Sequence, residues 1–210
     1  MERPPGLRRL ATALLLLSAC GDSGRIPTSP PATPPPAPTP TPGALSCGVE
    51  RWPVKTLTDA DAARISLGPA STTIRALDQR PGHCNGGPNS SRPYPEELQV
   101  YTVIGRILLA RLEDDDDYHL ALLDPESGDT IVTEVAHPGC ASPFSPGTLL
   151  LEQARAQFES FRAGRSLDSL RGQLVTVTGV GFYDFDHNQT GRSPNCIELH
   201  PVLSLRPGAG

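Results

Sequence analysis

From Leu98 onward, apolar and polar positions recur in patterns that the preceding residues lack. Residues 98–112 concentrate β-branched and aliphatic side chains, with Val100, Val103, Ile104 and Ile107 around Gly105, which predicts a long strand bent at the glycine. The run Asp114 to Asp117 makes an acidic turn, and Tyr118 to Leu123 reads as a second strand. It stops at Asp124-Pro125-Glu126-Ser127-Gly128-Asp129, a stretch rich in turn formers. A third strand follows over Thr130 to Ala136. Leu150, Ala154, Phe158 and Phe161 then recur at helical spacing, the apolar stripe of an amphipathic helix ending near Gly164. Two more strands complete the pattern: Leu174 to Phe185, carrying Gly179 and Gly181, and Ile197 to Leu205, with Ile197, Leu199, Leu203 and Leu205 on one face.

Three strands, a helix and two strands, opened by a glycine-bent strand, is the element order of the OB-fold, which residues 98–206 resemble. The implied fold class is mainly β: a five-stranded OB-like Greek-key barrel with one helix between strands 3 and 4. Residues 47–97, rich in Pro and Gly, form an irregular N-terminal extension packed on the barrel. There a helix is expected to open at Thr58, and Trp52, the only tryptophan, is expected to anchor the extension in apolar surface.

The first 46 residues have a different character. Arg3, Arg8 and Arg9 precede an apolar run from Leu10 to Leu17, and Leu17-Ser18-Ala19-Cys20 closes it. The run is shorter than the roughly 20 residues that a membrane span needs, and it reads as a secretory signal. Leu-Ser-Ala-Cys resembles the site at which bacterial signal peptidase cuts before a lipidated cysteine. Residues 1–19 are therefore expected to be a lipoprotein signal peptide and Cys20 the lipidation site. The lipid anchors the chain to the membrane without a transmembrane helix. Asp does not directly follow Cys20, which in a diderm bacterium resembles an outer-membrane destination. Residues 20–46, crowded with Pro, Thr and Ala, have the composition of a disordered tether with a reach on the order of 80 Å.

Charge narrows the function classes. The chain carries net −5, and without the first 46 residues 14 Lys and Arg stand against 21 Asp and Glu. Such a domain has no general attraction for phosphate backbones, so nucleic acid is disfavoured as a partner. With Cys20 lipidated, Cys47, Cys84, Cys140 and Cys196 are an even set in an oxidising compartment, which implies two disulfides. Of three possible pairings, Cys47 with Cys84 and Cys140 with Cys196 is preferred, because the first bond would close the extension on itself. A zinc site made from all four cysteines is the alternative, against which their spacing argues.

Three constellations could carry chemistry. Asp184, Asp186 and Asn188 follow the alternate spacing with which calcium loops open, although Gln189 and Asn195 break the EF-hand pattern. His119, His187 and His200, with Glu198 and Asp117, are acid–base or metal-ligand candidates. If Leu120 and Leu199 face the interior, His119, Glu198 and His200 are expected to point outward and exposed, with the backbones of His119 and His200 roughly 9 to 10 Å apart. The acidic run from Glu113 to Asp117 could recruit cations but has the character of a solvated turn. Phosphate loops, nucleophile elbows and His-Glu-x-x-His are missing from the sequence.

At a finer level Trp52-Pro53-Val54-Lys55-Thr56, Asp117-Tyr118-His119-Leu120, Gly179 to Asp184 and Ile197 to Val202 resemble an uncharacterised family of exported bacterial lipoproteins. The resemblance supplies no activity. The expected function is a membrane-anchored binding or envelope-accessory module for a saccharide, a protein or a cation, placed ahead of any enzyme. The competing expectation is a metal-dependent secreted hydrolase built like the OB-barrel nucleases, using His119, Asp184, His187, Glu198 and His200.

Overall fold

The computed structural model describes residues 45–208. The signal peptide, Cys20 and most of the tether expected from the sequence lie outside the described residues. Six strands form one sheet: β1 (Ser66–Ser71), β2 (Gln99–Leu112), β3 (Tyr118–Leu123), β4 (Thr130–Val135), β5 (Leu174–Tyr183) and β6 (Ile197–Pro207). Strands β2, β3, β4, β6 and β5 are neighbours in that order, and β5 returns to pair with β2, closing a five-stranded barrel. The β4–β6 pair is parallel and the other barrel pairs are antiparallel. This is the OB-like Greek-key barrel that the element order predicts.

The long strand β2 makes closure possible. Its first half pairs with β5 and its second half with β3, with a register shift between Ile107 and Leu109. Gly105 sits at the handover, where a Cβ would lie 3.0 Å from the Cβ of Leu122, so only glycine lets β2 turn this close to β3. Alternation along the strands fills the interior with Val103, Ile107, Leu120, Leu122, Ile131, Val177 and Leu199.

On β6 the expected face is out of phase after Leu199. Val202 enters the core and Leu203 packs outside it, beside Val100 and Val180. The cause is a register shift between β5 and β6 over Thr178 to Gly181, which turns the following residues over.

The main helix, α3 (Pro146–Arg162), opens with Pro146 after Ser145, whose hydroxyl accepts from the Gly147 amide. It buries Leu151, Ala154 and Phe158, while Leu150 is only partly buried in a neighbouring cluster.

The extension is less irregular than its composition suggests. It holds α1 (Trp52–Lys55), the exposed strand β1 paired parallel to β2, and α2 (Ile74–Asp78), capped by Thr73. No α-helix opens at Thr58. A single 3₁₀ turn at Ala62–Arg64 takes its place, because the Asp59 carboxylate accepts from the Asp61 amide while also binding Arg92. Two fully buried ion pairs, Arg51–Glu97 and Arg92–Asp59, tie this segment together and to β5, where the Tyr183 carbonyl accepts from Arg51. Trp52 is half-buried, its indole N–H donating to the Cys140 carbonyl.

The disulfides differ from the preferred pairing. Cys47 bonds Cys140 and Cys84 bonds Cys196, so both join the extension to the barrel and no thiols remain for a four-cysteine zinc site. The extension has no separate core in which to pair its own cysteines. Instead it wraps the barrel, bringing Cys84 to the loop before β6, where His83 donates to the Asn195 carbonyl.

Candidate functional site

On β3, Leu120 and Leu122 point inward and His119 outward, as the period of two requires. Strand register then sets His119 between Arg111 of β2 and Glu134 of β4. Glu198 of β6 stands opposite Val132 of β4 and Phe182 of β5. His119, Glu198 and His200 occupy the outer faces of their strands, yet they are buried, with exposures of 1, 1 and 0%. The expectation of exposed side chains fails because the extension covers this face: Arg51 and Lys55 lie over the Phe182 ring at 4.7 and 5.4 Å.

Glu134, which the sequence reading passed over, joins the two histidines. One carboxylate oxygen lies 2.9 Å from His119 Nδ1 and the other 3.0 Å from His200 Nδ1. The His200 contact is an ion pair lying off the hydrogen-bond direction. On its other side His200 Nε2 is 3.5 Å from Asp117, also fully buried. Asp117 in turn accepts from the His137 amide at 2.7 Å.

Burial alone would push the His200 pKa down, but Glu134 and Asp117 outweigh it and raise it to about 9. Burial pushes Glu134 up, and His200 and His119 overcome it, holding that carboxyl well below the usual range. Glu198 moves the other way: burial first, then Asp184 and Glu134, hold it well above the usual range. Lys55, the only lysine in the chain, loses charge stability to burial but gains more from Glu134, Asp184 and Glu198, so its pKa is raised.

A pH dependence follows. The His200 pKa is raised above its unfolded value near 6.5, so its contribution is complete below that pH and is lost as pH rises through about 9. The shift corresponds to roughly 3 kcal/mol. Urea unfolding at pH 6.5 and 9.5 should show this loss in the native chain, and in His200→Gln the loss over the same change should be smaller by about that amount.

Above this cluster opens a polar cleft of about 270 Å³, whose lining includes Lys55, Arg111, His119, Glu134, Asp184 and His187. The acidic turn contributes Glu113, Asp114 and Asp115, and Gln189 closes the far side. Asp184 faces Lys55 at 3.6 Å, and His187 Nε2 lies 3.4 Å from Glu50 and 3.8 Å from Asp184. Gln189 donates to Glu198 at 2.8 Å.

The proposed calcium set is not gathered. Asp184 faces the cleft, while Asp186 pairs with Arg192 and accepts from the Asn188 amide in the exposed loop. Among the described residues, three groupings have donors within 4.8 Å of one another: Glu113, His119 and Glu134; Asp117, Glu134 and His200; and Glu50, Asp184 and His187. Asp186 belongs to none of them. A larger apolar groove of about 840 Å³, bordered by Leu67, Phe144 and Leu149, lies elsewhere. Its one ionisable lining residue, Asp59, is already paired with Arg92.

Known proteins add little. No family model matches the chain, and no curated protein is similar to it. Among solved structures it is similar to an aspartyl-tRNA synthetase from Leishmania major Friedlin, at 12% identity and TM-score 0.36, covering 68% of this chain and 21% of that one. It is also similar to OBody AM2EP06 bound to hen egg-white lysozyme, at 10% identity and TM-score 0.33, covering 51% and 78%. The chain thus spans about a fifth of the synthetase. Likenesses this weak carry no argument about function. Strand order and site geometry have to supply it.

Proposed function

We propose that this chain is an exported lipoprotein, anchored through Cys20 to the bacterial cell envelope, whose barrel binds a small cationic or polyhydroxylated ligand in the polar cleft. The observation that carries the reading is where the cleft lies. OB barrels bind ligands on the face of their second and third strands, between the loops joining strands one to two and four to five. Here those parts are β3 and β4, the acidic turn at Asp114 to Asp117 and the loop from Asp184 to Gly191. Five carboxylates in the lining against Lys55 and Arg111 favour a cation or amino sugar over a polyanion. In a diderm bacterium the outer membrane is the expected destination.

Glucosamine oligosaccharide is a suitable probe because it joins positive charge to hydroxyls. Calorimetric titration should give saturable binding that weakens at least about tenfold when Asp114→Asn and His187→Ala are combined, which costs about 1.4 kcal/mol. Binding unchanged in that double variant would remove the cleft from the account. The anchor has its own test: palmitate labelling in cells should disappear in Cys20→Ser.

A second reading is a hydrolase. It is favoured by the opposed shifts of Glu198, pushed up by burial and the neighbouring carboxylates, and Glu134, brought down by the two histidines, a division of the kind that acid–base catalysts use. Glu198 reaches the cleft only through Gln189, which places this reading second. Hydrolysis of an envelope glycan that is lost in Glu198→Gln would reverse the order.

A further inference from the structure

We propose that Glu113, His119 and Glu134 form a site for a divalent transition-metal ion, best suited to zinc, in the wall of the polar cleft. The inference deepens the reading of the cleft as a ligand site, and it rests on that reading for the role of the open coordination position. The three residues come from the acidic turn and from two paired strands, so backbone register fixes them relative to one another. His119 Nδ1 lies 2.9 Å from a Glu134 oxygen and 3.4 Å from a Glu113 oxygen. Bonds of about 2.0 to 2.2 Å in a tetrahedron around zinc separate neighbouring donors by roughly 3.3 to 3.6 Å, a few tenths of an ångström beyond the spacing here. An ion can therefore replace the proton between His119 and Glu134 and reach Glu113 with small side-chain movements.

An independent observation points the same way. His119 is 1% exposed and lines the cleft, and its Nε2 has no partner. Nδ1 carries the proton toward Glu134; because no protein group holds Nε2, the ring can carry its proton there instead and present the Nδ1 lone pair to a cation. Glu134 is steadied from behind, since its second oxygen faces His200, which in turn faces Asp117. Such outer partners hold ligating carboxylates in place at metal centres. The deeper grouping of Asp117, Glu134 and His200 is buried throughout, whereas Glu113 gives the proposed site an entrance. Arg111, which contacts Glu113, has a side chain 45% exposed and can swing into solvent.

Donor chemistry selects the ion. Two carboxylates and an imidazole suit zinc and its divalent neighbours, while calcium asks for six to eight oxygens and copper(I) for sulfur. Three protein donors leave a fourth position toward the cleft, the arrangement of zinc sites that bind a further molecule.

The test is calorimetric titration of zinc ion into the full chain, disulfides intact, after EDTA treatment and dialysis. The expected result is one equivalent bound, with affinity reduced at least about tenfold in both His119→Ala and Glu113→Gln. Binding should be unchanged in Asp186→Asn. Glu113 is partly exposed, so Glu113→Gln keeps the test valid if His119→Ala fails to fold. Absence of saturable binding, or native affinity in Glu113→Gln, overturns the site. Glucosamine oligosaccharide titrated into the stripped protein separates the two claims. Sugar binding without zinc binding overturns the metal site alone, and loss of both overturns the cleft as well.

Discussion

Replacing Arg51 by methionine is expected to destabilise the domain by about 3 to 5 kcal/mol. Arg51 is fully buried, and its guanidinium donates to both oxygens of Glu97 and to the carbonyls of Pro88, Ser91 and Tyr183. Glu97 is equally buried and also accepts from the Tyr183 amide. Truncating the arginine leaves a carboxylate with no counter-charge in an environment that solvates it poorly, together with three carbonyls that lose a donor. The extension would then lose its central tie to β5. Equilibrium urea unfolding measures the loss. The pair Arg51→Met with Glu97→Leu should recover part of it, because it removes the orphaned charge. A cost below about 1 kcal/mol for the single variant would mean that the extension does not depend on this pair.

Loss of the Cys84–Cys196 disulfide is the second large effect. The bond spans 112 residues of sequence and Cys47–Cys140 spans 93. Loop-closure entropy gives about 4 to 5 kcal/mol for loops of this length, and native disulfides typically deliver 2 to 5. Cys84→Ala with Cys196→Ala should therefore lower the unfolding free energy by about 2 to 5 kcal/mol, and Cys47→Ala with Cys140→Ala by a comparable amount. The two losses differ in place. Cys196 lies just before Ile197, at the start of the strand carrying Glu198 and His200, so its loss should loosen the buried cluster. Cys47 lies beside α1, so its loss should free Lys55 from the cleft. Hydrogen exchange read residue by residue distinguishes the two: protection should fall first around β6 in one variant and around α1 in the other.

The barrel was legible because its signals are local. Turn chemistry at Asp124 to Gly128, the glycine at 105 and the helical stripe through Ala154 and Phe158 each act within a few residues, and together they order the elements. Strand β1 was not legible, since Ser66 to Ser71 contains Gly68 and Pro69 and is exposed throughout, so no alternation marks it. The disulfide pairing was hidden for a different reason. It depends on where an extension with few apolar residues lies on the barrel, which is decided by buried arginine pairs distant in sequence.

The site was half visible. The loops carrying Asp114 and Asp184, and the outward phase of His119, Glu198 and His200, follow from strand period. Their burial does not, because the covering segment comes from residues 47–97. Glu134 carried a usable signal, a charge inside the apolar run Ile131 to Val135, opposite in register to His119. Lys55 had one too, as the only lysine in the chain. Neither means much until pairing puts the carboxylate between two imidazoles and the covering segment puts the ammonium beside Asp184.

The central claim is that ligand binds in the cleft over β3 and β4. The most direct measurement is a backbone amide NMR titration with glucosamine oligosaccharide. Shift changes concentrated at Glu113 to Asp117, Glu134 and Asp184 to Gln189 are the expected result. Changes centred on Leu67, Phe144 and Leu149, or none at saturating probe, would contradict it.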